Sequence, residues 1–174
     1  MKSPAVRRSP AAQVAIVLGS KSDRAALDGA VQLLDELAIP HQILVASAHR
    51  SPERAAQFAR AAQTRGLKVL IAAAGGAAHL AGALAAHTNL PVIGVPLASS
   101  PLLGFDALYA TVQMPPGVPV ATMAVGPWGG INAAVLAAQI LALSNPALGR
   151  QLERRKAAMA DRVERDSRAI ESTR

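Results

Sequence analysis

Residues 14–37 read VAIVLGSKSDRAALDGAVQLLDEL, and this stretch decides the fold of the chain. Five consecutive apolar residues, Val14–Leu18, have the form of a fully buried strand, and the polar residues 19–22 then turn the chain. Beyond the turn, large apolar residues recur at the spacing of one helical face, at Leu27, Val31, Leu34 and Leu37. The stretch therefore predicts a strand, a polar loop and a helix near 23–37, which is the repeating unit of a parallel α/β sheet.

The same unit recurs four more times along the chain. Further strands are predicted at Gln42–Ala46, Val69–Ala73, Val92–Val95 and Val120–Val125. Helices are predicted to follow them, at about 52–65, before His87, at 105–111 and at 132–143. Five tandem units predict an α/β fold, a three-layer doubly wound sandwich of flavodoxin-like or Rossmann-like form with a five-stranded parallel sheet and a C-terminal helix.

The length of 174 residues suits one compact domain with flanking segments. We predict a disordered leader at 1–12, the α/β domain at 13–148, and a basic C-terminal helix and tail at 149–174 that lies at a subunit interface. The start of the chain imitates a signal peptide, but its apolar stretch runs directly into polar residues and no A-x-A cleavage site follows. No stretch approaches the roughly 20 apolar residues that span a bilayer, so no membrane association is predicted.

The net charge of +7 is concentrated at the two ends of the chain. Residues 13–148 hold seven basic and six acidic side chains, so the body is nearly neutral. With one Trp, one Tyr and two Phe there is little for base stacking, so solvated basic ends are favoured over nucleic-acid binding. The chain has no cysteine, which excludes disulfides and thiolate metal sites and fits a reducing compartment, so the expected location is cytoplasmic.

The loop after the first strand, Gly19-Ser20-Lys21-Ser22-Asp23, has the composition of an anion site. Backbone N–H groups at a helix start, with serine hydroxyls beside them, suit a phosphate group. Asp23 would repel phosphate, so a ribose hydroxyl is its better partner. Taken alone, the loop favours the structural explanation, in which Ser22 or Asp23 caps the helix.

The loop after the second strand contains Ser47-Ala48-His49-Arg50-Ser51-Pro52. Arg50 offers a fork that matches phosphate, and His49 belongs to the residue type that exchanges a proton near neutral pH. A histidine bonded to a backbone carbonyl and a surface ion pair are the simpler explanations for the two side chains. The sequence Ser51-Pro52-Glu53 predicts a helix start, with serine at the N-cap.

The loop after the third strand, residues 73–82, reads AAGGAAHLAG. Its small residues leave room for a ligand against the main chain, and its N–H groups can hold a carboxylate. Tight helix packing or a subunit contact would also favour small residues. Of the four histidines, only His49 and His79 fall in these loops, and no pair has the spacing of a metal motif, so no metal site is predicted.

The motifs GSKSD (19–23), SAHRSP (47–52) and AGGAAHLAG (74–82), followed by VQMP (112–115) and GVPV (117–120), stand in order at successive loops. Together they closely resemble the N5-carboxyaminoimidazole ribonucleotide mutase family in its class I form, over about residues 13–160. The third loop resembles the class I mutase rather than the class II carboxylase, which makes the same product from free carbon dioxide. The chain departs from the usual pattern at a few positions, among them Ala81 in place of a proline.

The resemblance implies a catalytic residue, His49, acting as acid and base on a small ribonucleotide. It implies a larger set of substrate-binding residues, namely Ser20, Asp23, Ser47, Arg50, Gly75, Gly76, Ala77 and His79. In this set the two serines and Arg50 would bind phosphate, Asp23 the ribose, and the third loop the carboxylate. The resemblance further implies a homo-octamer with sites where subunits meet, and no cofactor. A non-catalytic nucleotide-binding module and an assembly protein acting through its basic ends are the alternatives.

Overall fold

The computed structural model describes residues 11–172. The first ten residues of the predicted leader lie outside the described residues. The chain divides into two compact units between Ala137 and Ala138. The first unit contains all five strands and the candidate site, and the second contains the C-terminal helix.

Within residues 11–137, the first unit is built on one sheet of five parallel strands. Their bounds are β1 Val14–Leu18, β2 His41–Val45, β3 Val69–Gly75, β4 Val92–Leu97 and β5 Ala121–Thr122. The order β2-β1-β3-β4-β5 is that of flavodoxin-like folds, which confirms the predicted class. In this order the chain reverses its direction of winding between β1 and β3, and ligands of such folds bind beside that point.

The register of the strands brings three loops to one edge of the sheet. Leu18 at the end of β1 lies opposite Val45 of β2 and Ala73 of β3. All five residues of β1 are buried, because β1 has a strand on either side and packed residues on both faces. The loops that follow β1, β2 and β3 therefore begin next to one another.

In the described residues, helices and one 3₁₀ segment follow the strands. The 3₁₀ segment is Lys21–Leu27, and the helices are α1 Asp28–Glu36, α2 Pro52–Ala62, α3 Leu80–Ala85, α4 Phe105–Val112, α5 Pro127–Ala142 and α6 Pro146–Glu171. Large core residues from β1, β3 and the helices are fully buried, among them Val17, Leu70, Leu80 and Leu84. This packing fixes the strand ends that carry the site.

The fifth strand is much shorter than the predicted Val120–Val125, because only Ala121–Thr122 pair with β4. Pro119 has no N–H to donate at the strand entrance. Past Thr122, the chain keeps two irregularly spaced bonds to β4, from Met123 N to Gly94 O at 2.9 Å and from Gly126 N to Pro96 O at 2.8 Å. The apolar run 120–125 therefore lies along β4, but only two of its residues pair with β4 as a strand.

Helix α5 begins at Pro127 instead of the predicted Asn132. Proline is suited to the first helical position, because its missing N–H has no partner there. Gly129 and Gly130 are part of the helix and lie close to neighbouring backbone atoms. A Cβ on Gly129 would overlap the Ala124 carbonyl oxygen, and one on Gly130 would lie 3.0 Å from the Ala26 oxygen. The Gly-Gly pair therefore indicates contact and not a loop.

The second unit consists of the end of α5 and the 26-residue helix α6. Asn145 caps α6 by accepting a hydrogen bond from the Leu148 N–H at 3.2 Å, and Pro146 takes the first helical position. In α6 only Leu148 is buried, while Met159, Val163 and Ile170 are exposed. Within residues 11–172, no helix combines the length and apolar character required to cross a membrane.

Candidate functional site

The loop after β1 is organised by a reciprocal cap. Ser20 is the N-cap of the 3₁₀ segment, its backbone N–H donates to Asp23 Oδ2 at 2.9 Å, and its hydroxyl accepts from the Ser22 N–H at 3.4 Å. The Ser22 hydroxyl also donates to the Ser20 hydroxyl at 2.9 Å. The N-cap is therefore Ser20 and not Ser22 or Asp23, because the 3₁₀ segment already begins at Lys21.

Asp23 is buried beneath this loop. Burial raises the pKa of its carboxyl above the ordinary value of 3.8, because the charged form loses water. The Ser20 N–H, the charge of Arg50 and the Ser22 hydroxyl all lower the pKa without cancelling the effect of burial. The Asp23 carboxylate is therefore a hydrogen-bond acceptor held in one orientation, and its burial makes its charged form less stable.

The loop after β2 is closed by its two serines. The Ser47 N–H donates to Ser51 Oγ at 2.9 Å, the Ser51 hydroxyl donates to the Ser47 carbonyl at 3.2 Å, and the Arg50 N–H donates to Ser47 Oγ at 3.2 Å. Ser51 stands at the N-cap of α2 as predicted, but its side chain does not cap a helix N–H. Its hydroxyl instead holds the loop that presents His49 and Arg50.

Arg50 ties the second loop to the first. Its Nη2 donates to the Gly19 carbonyl at 3.1 Å. An arginine has five N–H donors, so this bond leaves others that can face an anion. The side chain is exposed at the same edge of the sheet as Ser20.

The loop after β3 is tight at its glycines. A Cβ on Gly75 would overlap the hydroxyl of Ser99, which follows β4, and Gly76 has a φ of +59° that favours glycine. Ala78 is also in the left-handed region, with a φ of 42°. These conformations turn the chain sharply into α3 and place His79 at its start.

His49 and His79 meet across the two loops. The Nε2 atom of His49 lies 2.6 Å from Nδ1 of His79, and the ring planes meet at 64° with centroids 4.7 Å apart. Both residues are exposed at the mouth of the site. Thirty residues separate them in the chain, and only the adjacency of β1, β2 and β3 brings them together.

A cavity of about 450 Å³ lies at this edge of the sheet. It is lined by most of the predicted residues, namely Ser20, Asp23, Ser47, His49, Arg50, Gly75, Ala77 and His79. Gly76 was predicted in the same set but does not line the cavity, because its φ serves the turn behind Ala77. The structure therefore brings eight predicted residues to one place.

Sequence reasoning missed some of the lining. Ser22 and Ser99 contribute hydroxyls, and Ala48, Ala78 and Leu80 contribute apolar surface. Ser99 was overlooked because only the first three loops were expected to form the site. The signal was its position just after a predicted strand, since β4 is the neighbour of β3 and its loop opens at the same edge.

The other histidines lie elsewhere. His41 is half-buried, with Nδ1 3.0 Å from the Ile39 carbonyl oxygen, and His87 lines a second cavity of about 830 Å³ near the amino end of β4. Among the described residues, neither a predicted site residue nor a carboxylate lines that larger cavity. In the described part of the chain, no three His, Cys, Asp or Glu side chains are grouped so as to hold a metal ion.

Comparisons with known proteins agree with the geometry. A family profile described as AIR carboxylase matches residues 13–162. The chain is 55% identical over 145 residues to the N5-carboxyaminoimidazole ribonucleotide mutase of Haemophilus influenzae, covering 83% of this chain and 88% of that protein. The protein of the same name from Escherichia coli K12 is 49% identical, with 90% and 92% covered. The crystal structure of Treponema denticola PurE superposes with a TM-score of 0.79 at 25% identity, covering 88% of this chain and 94% of that one.

Proposed function

The chain belongs to the AIR carboxylase family, and from this premise we propose that it is the isomerase of purine biosynthesis that converts N5-carboxyaminoimidazole ribonucleotide into 4-carboxy-5-aminoimidazole ribonucleotide. The relatives that carry the mutase name are about half identical to it over most of their length. One observation carries the proposal: three loops with three separate motifs converge on one cavity that contains a histidine pair, an arginine and a buried carboxylate.

We propose that the phosphate binds where the first two loops join. Ser20, Ser47 and Arg50 line the cavity there, and Arg50 is already held by the Gly19 carbonyl. A guanidinium fixed in one place loses less entropy when it binds a phosphate. Asp23, whose carboxylate is oriented by the Ser20 N–H, is assigned to the ribose hydroxyls, since a carboxylate accepts from hydroxyls and repels phosphate.

The proposed catalytic residue is His49. In the first step the carbon–nitrogen bond of the N5 carbamate breaks, carbon dioxide leaves, and protonated His49 donates its proton to N5. In the second step C4 of the aminoimidazole attacks carbon dioxide, a carbon–carbon bond forms, and the C4 proton returns to His49. Because one proton is donated and one is recovered, the residue needs no exchange with solvent during turnover.

The third loop is assigned to the carboxylate and to the carbon dioxide between the two steps. Gly75 and Ala77 line the cavity with minimal side chains, and Ala78 and Leu80 beside them are buried apolar residues. A small apolar compartment excludes water and keeps carbon dioxide near C4. The reaction so written requires neither metal, ATP nor biotin.

The assignment is tested by following carbon-13 from the N5 carboxylate in purified full-length protein without ATP. Retention of the label in the product, in the presence of unlabelled bicarbonate, is the expected result. Loss of the label, or product formed only from aminoimidazole ribonucleotide and bicarbonate, would show a carboxylase of the class II kind.

We further propose that the protein is a homo-octamer in the cytoplasm, with 13–148 as the catalytic part and 149–174 as a subunit contact. Two features support assembly. Helix α6 exposes Met159, Val163 and Ile170, and helix α4 exposes Phe105 and Tyr109. Native mass spectrometry of the full chain and of a form ending at residue 149 tests this assignment: eight copies are expected for the first and fewer for the second. Cell fractionation tests the location.

A further inference from the structure

The loop after β4 brings one hydroxyl to the cavity, that of Ser99. This residue stands two positions beyond the end of β4, and its N–H donates to the Leu97 carbonyl at 3.0 Å. The side chain is exposed and lines the cavity. Within residues 11–172 the Ser99 hydroxyl has no hydrogen-bond partner, so its donor and its lone pairs are available to a ligand.

Gly75 gives this hydroxyl its place. The two loops meet because Gly75 lies opposite Leu97 in the register of β3 and β4. A Cβ on Gly75 would overlap Ser99 Oγ and lie 2.8 Å from Ser99 Cβ, so the hydroxyl occupies the position of the missing side chain. The Ala77 N–H, on the same loop as Gly75, donates to no acceptor among residues 11–172. Two unpaired donors therefore lie on neighbouring loops at this end of the cavity.

The strand order separates Ser99 from the proposed phosphate position. The loops follow the order β2, β1, β3, β4, and strands are about 4.8 Å apart, so the loops after β2 and β4 begin about 14 Å apart. With its phosphate beside Arg50 and its ribose at Asp23, a ribonucleotide directs its base toward the loops after β3 and β4. The carboxyl group that migrates in the proposed reaction is on that base. It therefore falls at the end of the cavity where Ser99 and Ala77 lie.

We propose that Ser99 is a substrate-binding residue, whose hydroxyl donates to the oxygens of the migrating carboxyl group in each of its three forms. These forms are the N5 carbamate, free carbon dioxide and the C4 carboxylate. The inference rests on the proposed function and adds a fourth loop to the three that were assigned to the substrate. A hydroxyl hydrogen rotates to suit its acceptor, so one donor can follow the oxygens from N5 to C4.

A neutral donor suits this position better than a cation. Among the described residues that line the cavity, Arg50 is the one permanent cation, and it belongs to the loop after β2. A cation beside the carboxyl group would stabilise the charged carbamate and carboxylate more than neutral carbon dioxide. Stabilising the ground state in this way raises the barrier to the first step. A hydroxyl holds the group with a much smaller preference for its charged forms.

The test compares Ser99→Ala with the parent in full-length protein, using substrate labelled with carbon-13 in the N5 carboxylate and increasing unlabelled bicarbonate. Alanine keeps the Cβ that packs on Gly75 and removes only the hydroxyl. We expect kcat to fall at least about tenfold with KM changed less than about threefold. The product should also lose label as bicarbonate rises, and aminoimidazole ribonucleotide should accumulate, because carbon dioxide escapes before C4 attacks it.

Ser144→Ala is the matched control, because it removes a hydroxyl that donates to the Leu141 carbonyl and lies outside the cavity. It should leave kcat, KM and label retention unchanged. The Tm of Ser99→Ala should equal that of the parent, since the lost hydroxyl bonds to no other described residue. A loss of label together with a lowered Tm would mark a structural role and would overturn the inference.

Two further results would also overturn it, namely a Ser99→Ala protein that retains the label as the parent does, or one whose kcat stays within twofold of the parent. The parent enzyme separates this inference from the proposed function. A parent that makes no product, or that itself exchanges the label with bicarbonate, would reject the proposed function. A parent that retains the label beside an unaffected Ser99→Ala would reject only the role of Ser99.

Discussion

Arg50 reaches from the second loop to the first, where its Nη2 donates to the Gly19 carbonyl at 3.1 Å. The bond sets the guanidinium beside Ser20 at the proposed phosphate position. It also places a positive charge near Asp23, where it lowers the pKa of that carboxyl against the effect of burial. One side chain therefore links two loops, a buried acid and the anion site.

Replacing Arg50 by Lys should weaken substrate binding more than catalysis. Lysine keeps the charge but loses the planar fork that serves both the carbonyl and a phosphate. We expect KM to rise about tenfold, which corresponds to ~1.4 kcal/mol, with a smaller change in kcat. Arg54→Lys is a close control, because Arg54 also donates to a backbone carbonyl, that of Val45, but lies outside the cavity. An Arg50→Lys enzyme with the KM of the control would contradict the phosphate assignment.

Replacing His49 by Asn should abolish turnover and leave ligand binding nearly intact. The amide is similar in size to the ring but cannot transfer a proton at neutral pH. We expect kcat to fall by about 10²–10⁴-fold, the usual range for loss of an acid/base residue. Calorimetric titration with the product should give an affinity within about threefold of the parent, because the phosphate and ribose contacts persist. A variant that retains turnover would show that His49 is not the acid/base. A parent protein without turnover, whose affinity for the product is unchanged in His49→Asn, would support a pure binding module.

Asp23 and Asp106 should shift stability with pH in opposite directions. Burial raises the pKa of Asp23, so its ionisation costs stability at neutral pH, and the cost falls away as pH decreases through the raised pKa toward 3.8. The Ser100 hydroxyl lowers the pKa of Asp106, so that carboxylate stabilises the fold above 3.8 and this contribution is lost in acid.

Urea unfolding of the two Asn variants, at fixed protein concentration, measures these opposite signs. With rising pH, the unfolding free energy relative to the parent should move in favour of Asp23→Asn between about pH 4 and about pH 7, and against Asp106→Asn below about pH 4. If the unfolding free energies of both variants moved in the same direction with pH, the two carboxyl groups would not have the opposite pKa shifts that the structure indicates.

Replacing Gly75 by Ala should lower both stability and activity. The added Cβ would overlap the Ser99 hydroxyl and lie 2.9 Å from the Leu97 oxygen, so the cavity wall must move. Overpacking of this kind costs about 1–3 kcal/mol. Removing the hydroxyl with Ser99→Ala in the same chain should recover only part of the loss, because the Ser99 Cβ would still be 2.8 Å from the new methyl.

Gly149→Ala is the control for a glycine without close neighbours. Gly149 is inside α6, and a Cβ there would meet no atom of the described residues within 4 Å. Alanine in a helix is favoured over glycine by about 0.5–1 kcal/mol, so a stabilised variant is expected. Thermal unfolding gives the Tm of both variants and of the parent. A Gly75→Ala protein with a Tm as high as that of the parent would contradict the predicted overlap with Ser99.

Local patterns predicted the elements whose character is set by their own residues. The bounds of β1 agree residue for residue with the structure, because all five side chains are buried and polar residues follow at once. The extent of β5 was wrong, since a strand ends where its partner's hydrogen bonds end, and β4 pairs with only two of its residues. The start of α5 was misplaced for a related reason: the contact of Gly129 with Ala124 is formed only in the folded chain.

The sequence alone determined the repeating strand–loop–helix unit, the parallel sheet and the three polar loops. These features show in neighbouring residues, because buried strands are short apolar runs and helices have apolar residues at helical spacing. It could not give the distance of 2.6 Å between His49 and His79, the bond from Arg50 to Gly19, or the contribution of Ser99. Those depend on the strand order β2-β1-β3-β4, which decides which loops are neighbours. Residues far apart in the chain become a site only when packing brings their strand ends together.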